Sequence, residues 1–229
     1  MNVALTAGWL AATAIAYGAG LAIRRATGGH PLANPTAIAI FFVGACVVAT
    51  HTPYAVYVSA TWPLAFMLAP ATVALGVPLA RHLHAVRRDL VAIVVASVFG
   101  AVSSMASGVA IVRLLGGDVA SALSILPKAA TTPIATAIAL EVGGRPSLAA
   151  TLAIAGGILA AIVMSATIAA LGSRDWRAIG LAAGTAGSGV AAAQVAPHDE
   201  TAAAFAAVGI GLCGIVTAAV APLAAHAIR

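Results

Sequence analysis

The chain reads as an all-α integral membrane protein of about six to eight transmembrane segments, and three observations predict it. Of its 229 residues, 62% are hydrophobic and 7% charged, with a mean hydropathy of +1.07, a composition foreign to soluble domains. Apolar runs recur at 3–23, 36–50, 61–80, 90–115, 147–171 and 201–225. Most of these are long enough for a bilayer core of about 30 Å, which takes roughly 20 helical residues. Two further stretches, 119–142 and 176–196, are interrupted by prolines and glycines. They read as broken or re-entrant segments that form an inverted repeat.

Taken in order, the first run lacks the basic start and cleavage site of a signal peptide and is expected to be a mature helix. Asn34 and Pro35 suit the cap and first position of the next helix; a gate or substrate contact is the competing role for Asn34. After 61–80 comes a basic loop, Arg81 to Arg88, in which His82 and His84 are expected to be solvated. Residues 1–85 read as amino-terminal scaffold helices. Residues 86–229 read as a mobile unit holding the inverted repeat (90–142 and 147–196) and a final helix at 201–225. Cys46 and Cys213 lie inside apolar runs without CxxC spacing and read as packing residues. Glu141 is expected at an interface, paired with Arg145.

Charge placement orders these segments. Arginines cluster at Arg24-Arg25, Arg81 to Arg88 and Arg174 to Arg177, whereas 51–60 carries none. Keeping the clusters on the cytoplasmic side puts the amino terminus outside. It also requires 119–142 to turn back, since a full crossing would deliver Arg174 and Arg177 to the wrong face. Sliding the chain on itself by about 56 positions pairs Leu115-Gly116 with Leu171-Gly172 and Thr132-Pro133 with Ser188-Gly189. Two breaks separated by one span enter from opposite faces, so their tips can meet near the midplane.

Lys128 is the sole lysine, in Pro127-Lys128-Ala129-Ala130-Thr131-Thr132-Pro133. A cation at membrane depth is expensive and marks a functional site, here one for an anion; snorkelling to an interface is the competing reading. Thr131 and Thr132 either bond their own helix carbonyls or offer hydroxyls to a carboxylate. In Gly184-Thr185-Ala186-Gly187-Ser188-Gly189, either the small residues pack helices or a half-helix amino terminus attracts an anion. Substrate binding is thus expected of Lys128, Thr131, Thr132, Thr185, Ser188, Asn34 and Gln194, the last with bundle packing as its alternative. Pro127, Pro133, Gly184, Gly187 and Gly189 are expected to break the helices. The chain shows no Gly-rich phosphate loop, zinc spacing or Ser/His/Asp arrangement, so neither an enzyme nor a cofactor is expected. The net charge of +5 lies in short inter-span loops, which orientation explains better than nucleic acid does.

The segment Ser124 to Ala135, with Gly143-Gly144-Arg145-Pro146-Ser147-Leu148, resembles the signature of the LrgB/CidB family. Gly180 to Ala186, Leu32 to Pro35 and Leu68 to Leu79 fit the same pattern, so the resemblance spans nearly the whole chain. It departs after Gly184-Thr185-Ala186: where the family usually has Ser-His and later an Arg, this chain has Gly187-Ser188 and Gln194. A proton role for that histidine therefore does not carry over. The resemblance implies two functions. One is transport of small monocarboxylates such as glycolate, glycerate, lactate or pyruvate, as in the plastidic glycolate/glycerate translocator. The other is antiholin-like regulation of murein hydrolase release with a small LrgA/CidA-type partner. The expected reading is an inner-membrane, multi-pass secondary transporter moving in an elevator-like way, with a homodimer contact on the scaffold.

Overall fold

A computed structural model describes residues 3–74 and 76–229. The described residues form helices and no strands, in two compact units, 1–74 and 75–229. By length and composition, five helices can cross a membrane: those at Ala4–Ala26, Leu90–Leu114, Pro146–Met164, Trp176–Val195 and Glu200–Ile228.

The first unit contains α1 (Val3–Ala26), α2 (Pro35–Ala49), α3 (Tyr54–Ala60) and α4 (Trp62–Ala74). Asn34 caps α2 as its sequence predicts, its Oδ1 accepting from the amides of Thr36 (2.9 Å) and Ala37 (3.1 Å). Trp9 of α1 packs edge-on against Tyr57 of α3, with ring centroids 5.3 Å apart. The run expected at 61–80 is helical on both sides of residue 75. α4 carries Pro70, residue 75 lies outside the described residues, and α5 (Gly76–Arg81) belongs to the second unit.

The second unit continues with α6 (Leu83–Arg88), α7 (Leu90–Leu114), α8 (Val119–Ile125), α9 (Thr132–Glu141), α10 (Pro146–Leu171), α11 (Trp176–Val195) and α12 (Glu200–Ile228). Ion pairs fix which ends share a face. Asp89 before α7 meets Arg177 at the start of α11 at 2.9 Å, and Arg81 meets Glu200 at the start of α12 at 2.7 Å. At the opposite face Arg145, before α10, pairs with Asp118, before α8, at 2.5 Å. There too the Arg113 guanidinium donates to the Ile228 carbonyl at 2.6 Å. These rim pairs add little stability, but they report topology.

Both interrupted segments therefore return to the face they left. Asp118 and Arg145 bracket α8 and α9, and the Arg145 amide donates to Ser124 Oγ at 2.7 Å. Trp176 and His198 bracket α11 and stack with centroids 6.3 Å apart, although a straight helix of 20 residues would part them by about 30 Å. The first hairpin opens on the Arg113/Arg145 face, the second on the face with Arg81, Arg88 and Arg177. The repeat spacing recurs in the elements: α7 and α10 start at 90 and 146, and the second arms start near 132 and 188.

Local sequence explains each break. Pro127 cannot donate a helical bond, and the chain makes tight turns from Lys128 N to Ile125 O (3.1 Å) and from Ala130 N to Pro127 O (3.0 Å). Thr131 is extended (ψ 150°), and Pro133 sits in the first turn of α9, where a missing donor is harmless. In α11 the break is Ser188, with φ 48° and ψ −140°. Such a conformation costs a non-glycine residue about 1–3 kcal/mol. The helix-breaking role expected of Gly184 is corrected. It lies in a regular first arm, where a Cβ on Gly180 or Gly184 would overlap the backbone of Ala202 or Ala206. Close backbone approach of this kind holds helices together in lipid, where burial of apolar surface gives no net drive.

Candidate functional site between two hairpin tips

The tip of the first hairpin delivers Lys128 to the middle of α7. Its Nζ donates to Ser104 Oγ at 2.6 Å, and its stem crosses Gly108, where a Cβ would stand 2.9 Å from Cε. Ser104 is ten residues from the end of α7 at Leu114, so about 15 Å deep at 1.5 Å per residue, half of a bilayer core of about 30 Å. The amine points to a mid-helix hydroxyl and not to an interface, which disfavours snorkelling. An ammonium has three donors; Ser104 takes one. A cation at this depth costs about 2.5–3.5 kcal/mol on insertion scales, and one charge-assisted bond returns about 1.5–3. The remaining two donors suit an anionic guest. Thr131 and Thr132 are half-buried beside this tip, and Thr131 caps α9 without a side-chain bond.

The second tip approaches from the other side. Thr185, 8% exposed, has no hydrogen-bond partner for Oγ1, and its Cγ2 would lie 2.8 Å from a Cβ on Gly100 of α7. Ser188 is half-buried at the break, between buried Gly187 and exposed Gly189, and Gln194 is half-buried on the returning arm. The two tips meet on neighbouring residues of α10. The Lys128 carbonyl lies 3.7 Å from where a Cβ of Gly156 would be, and the Gly187 carbonyl 3.1 Å from that of Gly157. The approach at Gly157 is tighter than ordinary Cβ contact, whereas that at Gly156 is an ordinary one.

One face of α7 joins the halves. Gly100, Ser104 and Gly108 follow one another at four-residue steps, so Thr185, the Lys128 amine and the Lys128 stem lie along a single line. The amine and Thr185 are one turn apart, about 6 Å. Sequence reasoning singled out Lys128 and Thr185 but missed Ser104 and Ser97, because nothing in the α7 run distinguishes its serines until the fold sets Lys128 against Ser104 and buries Ser97. Asn34 belongs to the other compact unit, where it serves as the α2 cap. Cys213 is buried under this site, its thiol reaching the Ala129 carbonyl at 3.6 Å, a packing role as expected. Glu141 does not partner Arg145; Asp118 does. An apolar groove of about 270 Å³ between α10 and α11, lined by Val163, Met164, Ile168 and Ala182, has hydroxyls at Thr167 and Ser173 but no charged residue in its lining.

The charged groups sit at the rims of the unit. The Asp118 carboxyl is held below the usual carboxylate range by hydrogen bonds from Ser121 and by Arg145. The Asp175 carboxyl is lowered in the same way by Arg177. None of the unit's acidic residues (Asp89, Asp118, Glu141, Asp175, Asp199, Glu200) lies along an α7, α10 or α12 interior, so Lys128 has no protein counter-charge at its depth.

The LrgB-like family model matches residues 13–227. The chain belongs to the LrgB-like family. Among curated LrgB relatives it is 28% identical over 209 residues to "Antiholin-like protein LrgB" of Bacillus mycoides, covering 91% of each chain. The protein of the same name from Bacillus cereus (strain B4264) matches equally, 28% over 209 residues and 91% of each chain. An uncharacterized Haemophilus influenzae protein is 27% identical over 189 residues, 82% of each chain. No solved structure matches this LrgB-family chain.

Proposed function

We propose that the chain is a secondary carrier of small monocarboxylates, of the glycolate, glycerate, lactate and pyruvate class. The observation that carries this reading is the Lys128 ammonium, held by one serine at mid-membrane between two hairpin tips. The carboxylate pairs with Lys128, a charge-assisted bond stronger than a neutral one. The gap of about one helical turn to Thr185 suits an acid of two or three carbons. Thr131, Thr132, Ser188 and Gln194 line the approach. The unit bearing the two hairpins moves against a scaffold formed by residues 1–85, as in other inverted-repeat carriers. The scaffold carries a homodimer contact, and the protein resides in the cytoplasmic membrane with its amino terminus outside.

The test is uptake of labelled acids by proteoliposomes. Lys128→Ala abolishes uptake at unchanged expression and thermal stability; uptake at the parental rate refutes the proposal.

The relatives' names favour a second reading, an antiholin-like protein; the family resemblance extends it to a regulator of murein hydrolase release that acts with a small LrgA-type membrane partner. A stoichiometric small partner on purification supports it, together with no thermal stabilisation by any two- or three-carbon acid.

A further inference from the structure

Hydroxyls inside membrane helices ordinarily bond back to their own helix, and most in this chain do. Ser103 donates to the Gly100 carbonyl at 3.1 Å, Ser107 to Ser104 at 3.2 Å and Ser124 to Ala120 at 2.6 Å. Among the described residues, two buried hydroxyls have no hydrogen-bond partner at all. Ser97 is fully buried with Oγ unpartnered, and Thr185 is 8% exposed with Oγ1 unpartnered. An unmet buried hydroxyl is costly, by roughly the free energy of a lost hydrogen bond, so two of them in one place need a shared explanation.

Their positions supply it. Ser97 and Ser104 are seven residues apart on α7, a separation that returns a helical side chain to within about 20° of the same direction. Ser97 therefore points the way Ser104 does, toward the site. Gly100 stands between them, with the Thr185 methyl packed over it and Thr185 Oγ1 turned toward Gly209 of α12. Measured along α7, the Lys128 amine is at the level of Ser104, Thr185 about 6 Å further and Ser97 about 10.5 Å further. The row runs toward the Asp89–Arg177 face.

We propose that Thr185 and Ser97 form a second polar subsite that takes the non-carboxylate oxygens of the acid held by Lys128. Thr185 takes the oxygen on the carbon next to the carboxylate, and Ser97 takes a hydroxyl one carbon further out. The inference rests on the carrier reading and goes beyond it by assigning selectivity to Ser97, outside both interrupted segments. A site built to hydrogen-bond a ligand oxygen discriminates strongly against the analogue without it, because its own groups are then left unpaired.

The experiment is paired uptake by proteoliposomes of the full chain, using glycerate and lactate, three-carbon acids that differ by the terminal hydroxyl. The parent prefers glycerate. In Ser97→Ala that preference falls about tenfold, the usual effect of one lost hydrogen bond. Ser103→Ala, an exposed hydroxyl of the same helix, keeps the parental preference. Thr185→Val is an independent arm, lowering the preference for lactate over propionate. An unchanged glycerate-to-lactate ratio in Ser97→Ala, or equal losses of both acids, overturns the subsite while leaving the carrier reading standing. No uptake of either acid by the parent overturns both.

Discussion

Ser188→Gly should stabilise the protein although it removes a hydroxyl from the candidate site. Ser188 is held at φ 48°, ψ −140°, a region that costs a side-chain-bearing residue about 1–3 kcal/mol. Glycine carries no such cost there but loses about 0.5–1 kcal/mol more backbone entropy on folding. The difference is a net gain of about 0.5–2 kcal/mol, roughly 1–8 °C in melting temperature for a chain of this size. Ser188→Ala is the control, because it deletes the hydroxyl and keeps the strained backbone. Thermal unfolding of the purified proteins should rank glycine above serine and alanine, with the last two close together. A glycine variant that melts at or below the alanine variant would refute the reasoning, since a continuous helix through 188 is the backbone that glycine would weaken.

Three further outcomes follow from the same geometry. Gly184→Val drives a side chain into the Ala206 backbone and should cost at least the 1–3 kcal/mol or so typical of overpacking, read as a drop in melting temperature or as loss of folded protein. Ser104→Ala removes the hydroxyl that holds the Lys128 amine at 2.6 Å; it should raise the KM for labelled acids more than it lowers the maximal rate. Asp118 titrates below its unfolded value because Ser121 and Arg145 favour its charged form. Its contribution is thus fully present above the unfolded pKa, about 3.9, and is lost as pH falls through the lower folded value. Melting curves between pH 6 and pH 3 should fall less steeply at the acid end for Asp118→Asn.

Much of this architecture is legible before folding because lipid imposes it. The runs at 90–115, 147–171 and 201–225 became α7, α10 and α12 within a few residues, since length and apolarity decide a span. The Pro127–Pro133 break was readable for a similar reason: proline removes a donor wherever it stands. The second break was placed in the right segment but spread over its glycines. Which residue bends is decided by packing. Gly180 and Gly184 are consumed by contact with α12, so the turn falls on Ser188. The α7 side of the site was invisible for a different reason. Ser97, Ser103, Ser104 and Ser107 look alike in a helix; only the arriving Lys128 singles out Ser104, and burial without a partner singles out Ser97. Pairing Glu141 with Arg145 failed because proximity in sequence says little once a hairpin brings Asp118 back to the same rim.

Side-specific labelling of single cysteines in sealed vesicles tests the paired hairpins most directly, in a background with Cys46 and Cys213 replaced by alanine. Asp118→Cys and Glu141→Cys should react from one side of the membrane, and Arg174→Cys and His198→Cys from the other. Positions 174 and 198 labelling from opposite sides, or 118 and 141 doing so, would make the corresponding segment a crossing helix and contradict the account.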